Sequence, residues 1–174
     1  MRFLGRASLG QGVHVAGKIR IKVGPGGRVT VGDGVRFISG FAYNPVGNEC
    51  VNSILVGRKG VLNIASGAGL SATTLVCEEA ITIGENTYIG GGTRIYDTDF
   101  HSLDPAERIH HSRDTVKSAP ITIGRECFIG GHVIILKGVT IGDQSVIGAG
   151  SVVAKDIPPR QVWAGNPARF IKDL

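Results

Sequence analysis

The chain has 174 residues, the length of one domain, and 19 Lys+Arg against 14 Asp+Glu leave a net charge of +5. That excess is mild and forms no extended basic run, so nucleic acid is not the expected partner, and no stretch approaches the ~18 apolar residues of a membrane span. Gly at 27, Ile at 19 and Val at 18, against 9 Leu and a single Met, argue against a helical bundle and for many short strands separated by turns.

In chain order, residues 1–6 carry no apolar h-region, so no secretory signal is expected. Leu9, Val15 and Ile21 then fall six residues apart, followed by Val31 and Phe37. Residues 44–52 are irregular and read as a small loop. Ile64, Leu70 and Val76 restore the spacing of six, and Ile83, Ile89 and Ile95 repeat it cleanly. The next mark falls on His101. Residues 102–119 are polar and charged, contain Pro105 and carry no mark, which predicts a loop expelled from the repeat. Six consecutive marks follow at Ile123, Ile129, Ile135, Ile141, Ile147 and Val153, with Gly in second place after four of them. Near the end, Gly165-Asn166-Pro167 sets an N-cap Asn before a Pro at the first helical position, predicting a short helix over 167–173 that covers the open end of the last repeat. Cys50, Cys77 and Cys127 are odd in number and widely spaced, as expected for small buried residues in a reducing, cytoplasmic setting.

A mark at every sixth residue is required neither by a 3.6-residue helix nor by two-residue alternation. A short strand followed by a tight turn does require it. Three such units complete a circuit of about 18 residues, and each circuit stacks ~4.8 Å from the next through parallel backbone hydrogen bonds. The fold expected is therefore all-β, one domain over residues 1–174. The reading places Ile123 on Ile141, Ile129 on Ile147 and Ile135 on Val153, with Gly or small residues at the corners.

The run ITIG…DTDFH…APITIGRECFIGGHVIILKGVTIGDQSVIGAGSVVAKDIPP…AGNPAR, from Ile81 to Lys172, resembles the hexapeptide-repeat acyltransferases. Within them it is most similar to the galactoside, maltose and nodulation-factor O-acetyltransferases and to relatives that acetylate capsule and lipopolysaccharide sugars. Residues 1–80 match only loosely. The resemblance implies a left-handed parallel β-helix, a handedness that departs from the usual crossover rule. It further implies acetyl-coenzyme A as co-substrate, no required metal, and a homotrimer with active sites between subunits.

His101 is the candidate general base. A sugar hydroxyl does not ionise at neutral pH, and a neutral imidazole can take its proton as the new C–O bond forms. The His of the family's loop-entry motif matches His101 in DTDFH. Asp99 lies two residues earlier, sharing a face with His101 if the segment is extended, and can fix the imidazole tautomer; it reads equally as a turn-capping Asp. Asp97 flanks the pair. His110 and His111 read as solvated loop residues, His132 as part of a coil wall or subunit contact. By resemblance, Gly131 and Ala149 correspond to corners that receive the pantetheine arm, and Lys155, Arg169 and Lys172 to cations near its 3′-phosphate; each is also compatible with an ordinary corner or surface role. Ser71 and Glu78 fall in the stretch that corresponds to sugar-binding residues, while Phe128 stands where the family often has Trp.

The activity expected is acetyl transfer to a sugar or glycan hydroxyl. The alternative is N-acetylation of an amino group on a nucleotide-linked sugar. A zinc site of the carbonic anhydrase type needs three imidazoles, two of which the resemblance implies would lie five residues apart, and His110 and His111 have Thr115 and Val116 at that spacing. A non-catalytic scaffold with flat Thr ranks is disfavoured by the motif His and its loop; Thr82 and Thr122 are not expected to form such a rank.

Overall fold

The computed structural model describes residues 7–47, 50–110 and 115–174. Its strands form three parallel faces wound around one core. Face A stacks Ala7–Leu9, Arg28–Val31, Val61–Ile64, Ala80–Ile83, Ile121–Ile123 and Thr140–Ile141. Face B stacks His14–Ala16, Arg36–Ile38, Gly69–Ser71, Tyr88–Ile89, Phe128–Ile129, Val146–Ile147 and Gln161–Ala164, and ends on Arg169–Asp173. Face C stacks Ile19–Val23, Asn52–Val56, Thr74–Cys77, Arg94–Tyr96, Ile134–Ile135 and Val152–Val153. No helix among the described residues is long and apolar enough to cross a membrane.

The predicted columns are present. Ile123 pairs with Ile141, Ile129 with Ile147 and Ile135 with Val153, all fully buried or nearly so. Below them, Ile83, Ile89 and Ile95 pair with Ile123, Ile129 and Ile135 in the same three columns. Leu9 and Val15 keep their places under Val31 and Phe37, although they stay largely exposed as the lowest described coil.

Four features depart from expectation. Leu75, not Val76, is the core residue over Ile54 and under Ile95, because the corner between Leu70 and Leu75 is one residue shorter than in the coils above. Glycine's role at the repeats is also different. The Gly after each mark serves close approach between coils: a β-carbon on Gly84, Gly124 or Gly142 would collide with the backbone of the next coil. The left-handed residue of that corner is Asn86, Glu126 and Gln144 in successive coils, with φ of 53, 56 and 60°. Their N–H groups donate to Ser66, Glu85 and Arg125 carbonyls in the coil beneath, which offsets a conformation costing about 1–2 kcal/mol per residue.

Thr82, Thr122 and Thr140 do stack in one rank on face A, continued downward by Asn63, Thr30 and Ser8. The fourth departure is the chain end. Residues 167–173 form no helix: Arg169–Asp173 pairs antiparallel with Gln161–Ala164 around a turn at 165–168. A helix of seven residues is too short to stand on local bonds alone. The strand ladder supplies longer-range partners, and Phe170 meets Trp163 edge-on at 6.3 Å. The top edge of face B is thus covered by a strand.

Cys77 and Cys127 are buried and Cys50 is exposed. Burial, with the Asp97 carboxylate adding to it, pushes the Cys77 thiol up to about 12, and burial also raises Cys127. Thiolate is the reactive form, so both stay inert near neutral pH. Titration of the native protein with a disulfide reagent should modify Cys50 alone, and the other two only in denaturant. The Cys77 proton also makes stability fall as pH rises from about 9 towards 12, since the unfolded chain releases it first.

Candidate active site

The loop leaves the helix at the corner between faces C and A. There the core column of Ile95, Ile135 and Val153 continues, two residues on, into Asp97, Lys137 and Lys155. Asp97 is completely buried, and its two carboxylate oxygens accept from the Glu78 and Glu79 N–H groups at 2.7 and 2.8 Å. It therefore ties the coil below to the loop's root. The neck of the loop is a short antiparallel ladder: Ala119 N–H donates to Asp97 O at 2.9 Å, Asp99 N–H donates to Lys117 O at 3.1 Å, and Thr98 bridges Ser118.

Beyond the neck, Phe100 takes a left-handed conformation, φ 65°, and its ring meets Tyr96 edge-on at 5.1 Å. His101 follows, exposed to solvent. Because Phe100 turns the chain, Asp99 and His101 do not lie on the extended segment that would give them a common face. Asp99 instead accepts from Lys137 Nζ at 2.7 Å, from the coil above. The predicted loop then contains its own helix, Pro105–Ile109, which Asp104 caps by accepting from Ala106 N–H at 2.8 Å. Ser102 reinforces it by donating to Glu107 at 2.7 Å, and Arg108 reaches back to the Ser102 carbonyl. His110 closes this helix and is exposed. His111 lies outside the described residues.

Beside the neck is a cleft of about 470 Å³. Arg58, Lys59 and Glu78 line it from the two coils below, and Thr98, Phe100, Val116 and Ser118 from the loop side. Glu78 thus belongs to the loop corner. Ser71 does not: it ends a strand of face B and faces an apolar groove with Tyr88 and Phe128. Gly131 and Ala149 occupy the corner between faces B and C in consecutive coils, where Gly150 N–H donates to Gly131 O at 2.9 Å. The second loop reaches this corner as well, for a β-carbon on Gly131 would sit 3.3 Å from Val46. His132, with φ 58°, turns the same corner and is exposed. Lys155 is exposed in the loop-corner column, two coils above Asp97, and Arg169 and Lys172 lie exposed on the terminal strand.

One chain therefore gathers His101, Asp99, Glu78 and Lys155 along one edge, and holds Gly131 and Ala149 along another, with face C between. Lys137, Arg58 and Lys59 were not among the expected site residues. The register alone locates the first, since Lys137 stands two residues past Ile135 as Asp97 stands two past Ile95. Replacing Asp97 by Ala leaves two N–H groups without their acceptor and should cost about 2–4 kcal/mol. Asp97→Asn, which keeps one oxygen acceptor, should cost less. Urea denaturation midpoints compare the two.

Comparison with known proteins agrees with this architecture. The hexapeptide repeat of succinyl-transferase matches residues 120–155. Galactoside O-acetyltransferase of Escherichia coli K12 is 44% identical over 104 residues, which is 58% of this chain and 48% of that protein. The chain thus spans about half the length of this relative. A hexapeptide-repeat acetyltransferase of Vibrio cholerae, solved with acetyl-coenzyme A, superposes with a TM-score of 0.60 at 36% identity, covering 65% of this chain and 60% of that one. The fold extends over nearly the whole chain in AntD, an N-acyltransferase of Bacillus cereus, with a TM-score of 0.73 at 24% identity, covering 98% and 84%. With its stacked sixth-residue columns and these likenesses, the chain carries the hexapeptide repeat over residues 120–155, is similar to hexapeptide-repeat acetyltransferases and folds as a left-handed parallel β-helix.

Proposed function

We propose that the protein transfers an acetyl group from acetyl-coenzyme A to a hydroxyl of a sugar or glycan, with His101 as general base. The observation that carries this reading is the motif histidine itself, exposed where the coil wall opens into the loop and directly following Phe100, which lines the cleft. The neutral imidazole accepts the hydroxyl proton while the oxygen attacks the thioester carbonyl. The tetrahedral intermediate collapses by expelling coenzyme A as thiolate, which takes the proton back from the imidazolium. No covalent enzyme intermediate is needed. Asp99 is held by Lys137, so its contribution is to fix the loop's root beside the base.

Acetyl-coenzyme A would lie with its pantetheine arm against Gly131 and Ala149, whose minimal side chains leave the corner backbone accessible. Lys155, Arg169 and Lys172 would receive its phosphates. Ser71 and Glu78 are proposed on the acceptor side. Since the base and the small-residue corner occupy different edges of one prism, they form one site when the loop edge of one copy meets the small-residue edge of the next. Three copies in a ring satisfy this for every subunit. Light scattering should give three times the chain mass of 18.2 kDa, and a monomer would contradict the assembly.

The second reading, N-acetylation of an amino sugar linked to a nucleotide, needs a weaker base because a deprotonated amine already carries its lone pair. His101→Ala separates the two. For hydroxyl transfer it should lower kcat by about 10²–10⁴-fold with little change in acetyl-coenzyme A binding. Thiol release over a panel of sugars, amino sugars and nucleotide sugars measures it. A variant that keeps most of its rate on an amino sugar favours N-acetylation.

A further inference from the structure

Arg58 and Lys59 are the sequence's sole adjacent pair of Lys/Arg residues. Both line the cleft beside the loop neck, and both are exposed. Neither side chain has an ion pair or hydrogen bond among the described residues. Glu78 is the one acidic group lining that cleft, and it forms no ion pair with either among the described residues. Its carboxylate folds over Gly57, where a β-carbon would collide with it. The carboxylate of Asp97, close by, is already committed to the Glu78 and Glu79 N–H groups. The cleft therefore holds two cations and one carboxylate at its lower end, a local excess of one positive charge, with neither cation locked in an ion pair among the described residues.

Their place along the helix axis matters. Val56 pairs with Cys77 and Leu75 with Ile95, so the Arg58 corner lies two coils below the one that launches His101, about 10 Å at strand spacing. Lys155 lies two coils above it on the same edge. If coenzyme A brings its phosphates to the upper end, the reacting carbonyl stops near His101, and the lower end is left for the acceptor. We infer that the acceptor is an anionic sugar, carrying a phosphate or carboxylate that Arg58 and Lys59 bind while its hydroxyl or amine meets His101. This rests on the acetyl-transfer reading above. A guanidinium can grip such an anion through two parallel hydrogen bonds, and the adjacent ammonium adds a second charge.

The test compares galactose, galactose 1-phosphate, galacturonate and a uridine diphosphate sugar in two assays, thiol release with acetyl-coenzyme A and saturation-transfer NMR. The expected result is a kcat/KM at least 10-fold higher for charged acceptors than for galactose, with the phosphate and carboxylate arms identifying which anion is preferred. In the Arg58→Gln/Lys59→Gln variant this preference should collapse towards unity. Equal losses on neutral and charged acceptors, or weakened binding of acetyl-coenzyme A itself, would overturn the assignment. If no acceptor turns over, the proposed reaction fails. The NMR signal of galactose 1-phosphate then decides the anion site by itself: present in wild type and lost in the double variant supports it, absent from both sinks it.

Discussion

Each coil of this molecule rests on the one beneath through stacked columns of buried aliphatic side chains, with a second column on face A where Val29, Leu62, Ile81 and Ile121 run beside Val31, Ile64, Ile83 and Ile123. The side chains at Ile83, Ile123 and Ile141, or at Ile89, Ile129 and Ile147, lie directly over one another because parallel pairing holds the coils in register. β-branched residues suit such columns: they are stiff at χ1 and pack well on a pleated surface. The marks of these columns recur at one position in six, and buried residues such as Ile81, Ile121, Val133 and Val139 fill the core between them. Close approach of the coils adds a second constraint, seen where Gly124 lies under the backbone of Asp143. Exposed positions at the corners escape these constraints, and that freedom lets a slender helix carry charged groups on its edges.

Opening a wall is the hazard of this design, since a long excursion removes the strand-to-strand continuity on which stacking depends. The protein answers it with a buried carboxylate. Asp97 satisfies two N–H groups of the coil below at the point where the chain departs, and Ala119 returns to the Asp97 carbonyl as the chain re-enters. Lys137, arriving from the coil above, pairs with Asp99 one step further out. The exit is thus held from below, across and above. The price of that rigidity is small, because the same residues place Phe100 and His101 at a fixed height beside the cleft.

How much of this could be read in advance depended on how local each cause was. The columns from Ile83 upward were legible because register and spacing are the same fact in a uniform repeat. Val76 was misassigned because the shorter corner before Leu75 shifts the mark by one, and nothing in the spacing of Ile64 and Leu70 announces it. Three Asx-Pro pairs carry the same local helix signal, and Asn44-Pro45 opens only a short 3₁₀ turn at Pro45–Gly47. Asp104-Pro105 does start a helix, with Ser102 and Arg108 supporting its first turn. Asn166-Pro167 does not, because Gln161–Ala164 offers the following residues a ladder. Lys137 and the Arg58-Lys59 pair are far from His101 in sequence, and only the stacking register brings them to its corner.

The three corners are chemically unlike. Between faces A and B, left-handed residues stack with one another and form a side-chain ladder from Glu126 through Gln144 to Arg160. Between B and C the corner narrows to Gly131 and Ala149. Between C and A lie the charged groups and the histidine. A helix wound this tightly has no interior in which to bring two corners together, because its core is filled by the aliphatic columns. The proposed acetyl transfer, which draws on both the small-residue corner and the charged corner, would therefore be completed on the outside of the prism, with the second corner supplied by another copy. Assembly would then be a condition of the proposed chemistry, because the filled core leaves the prism no room to hold a site within itself.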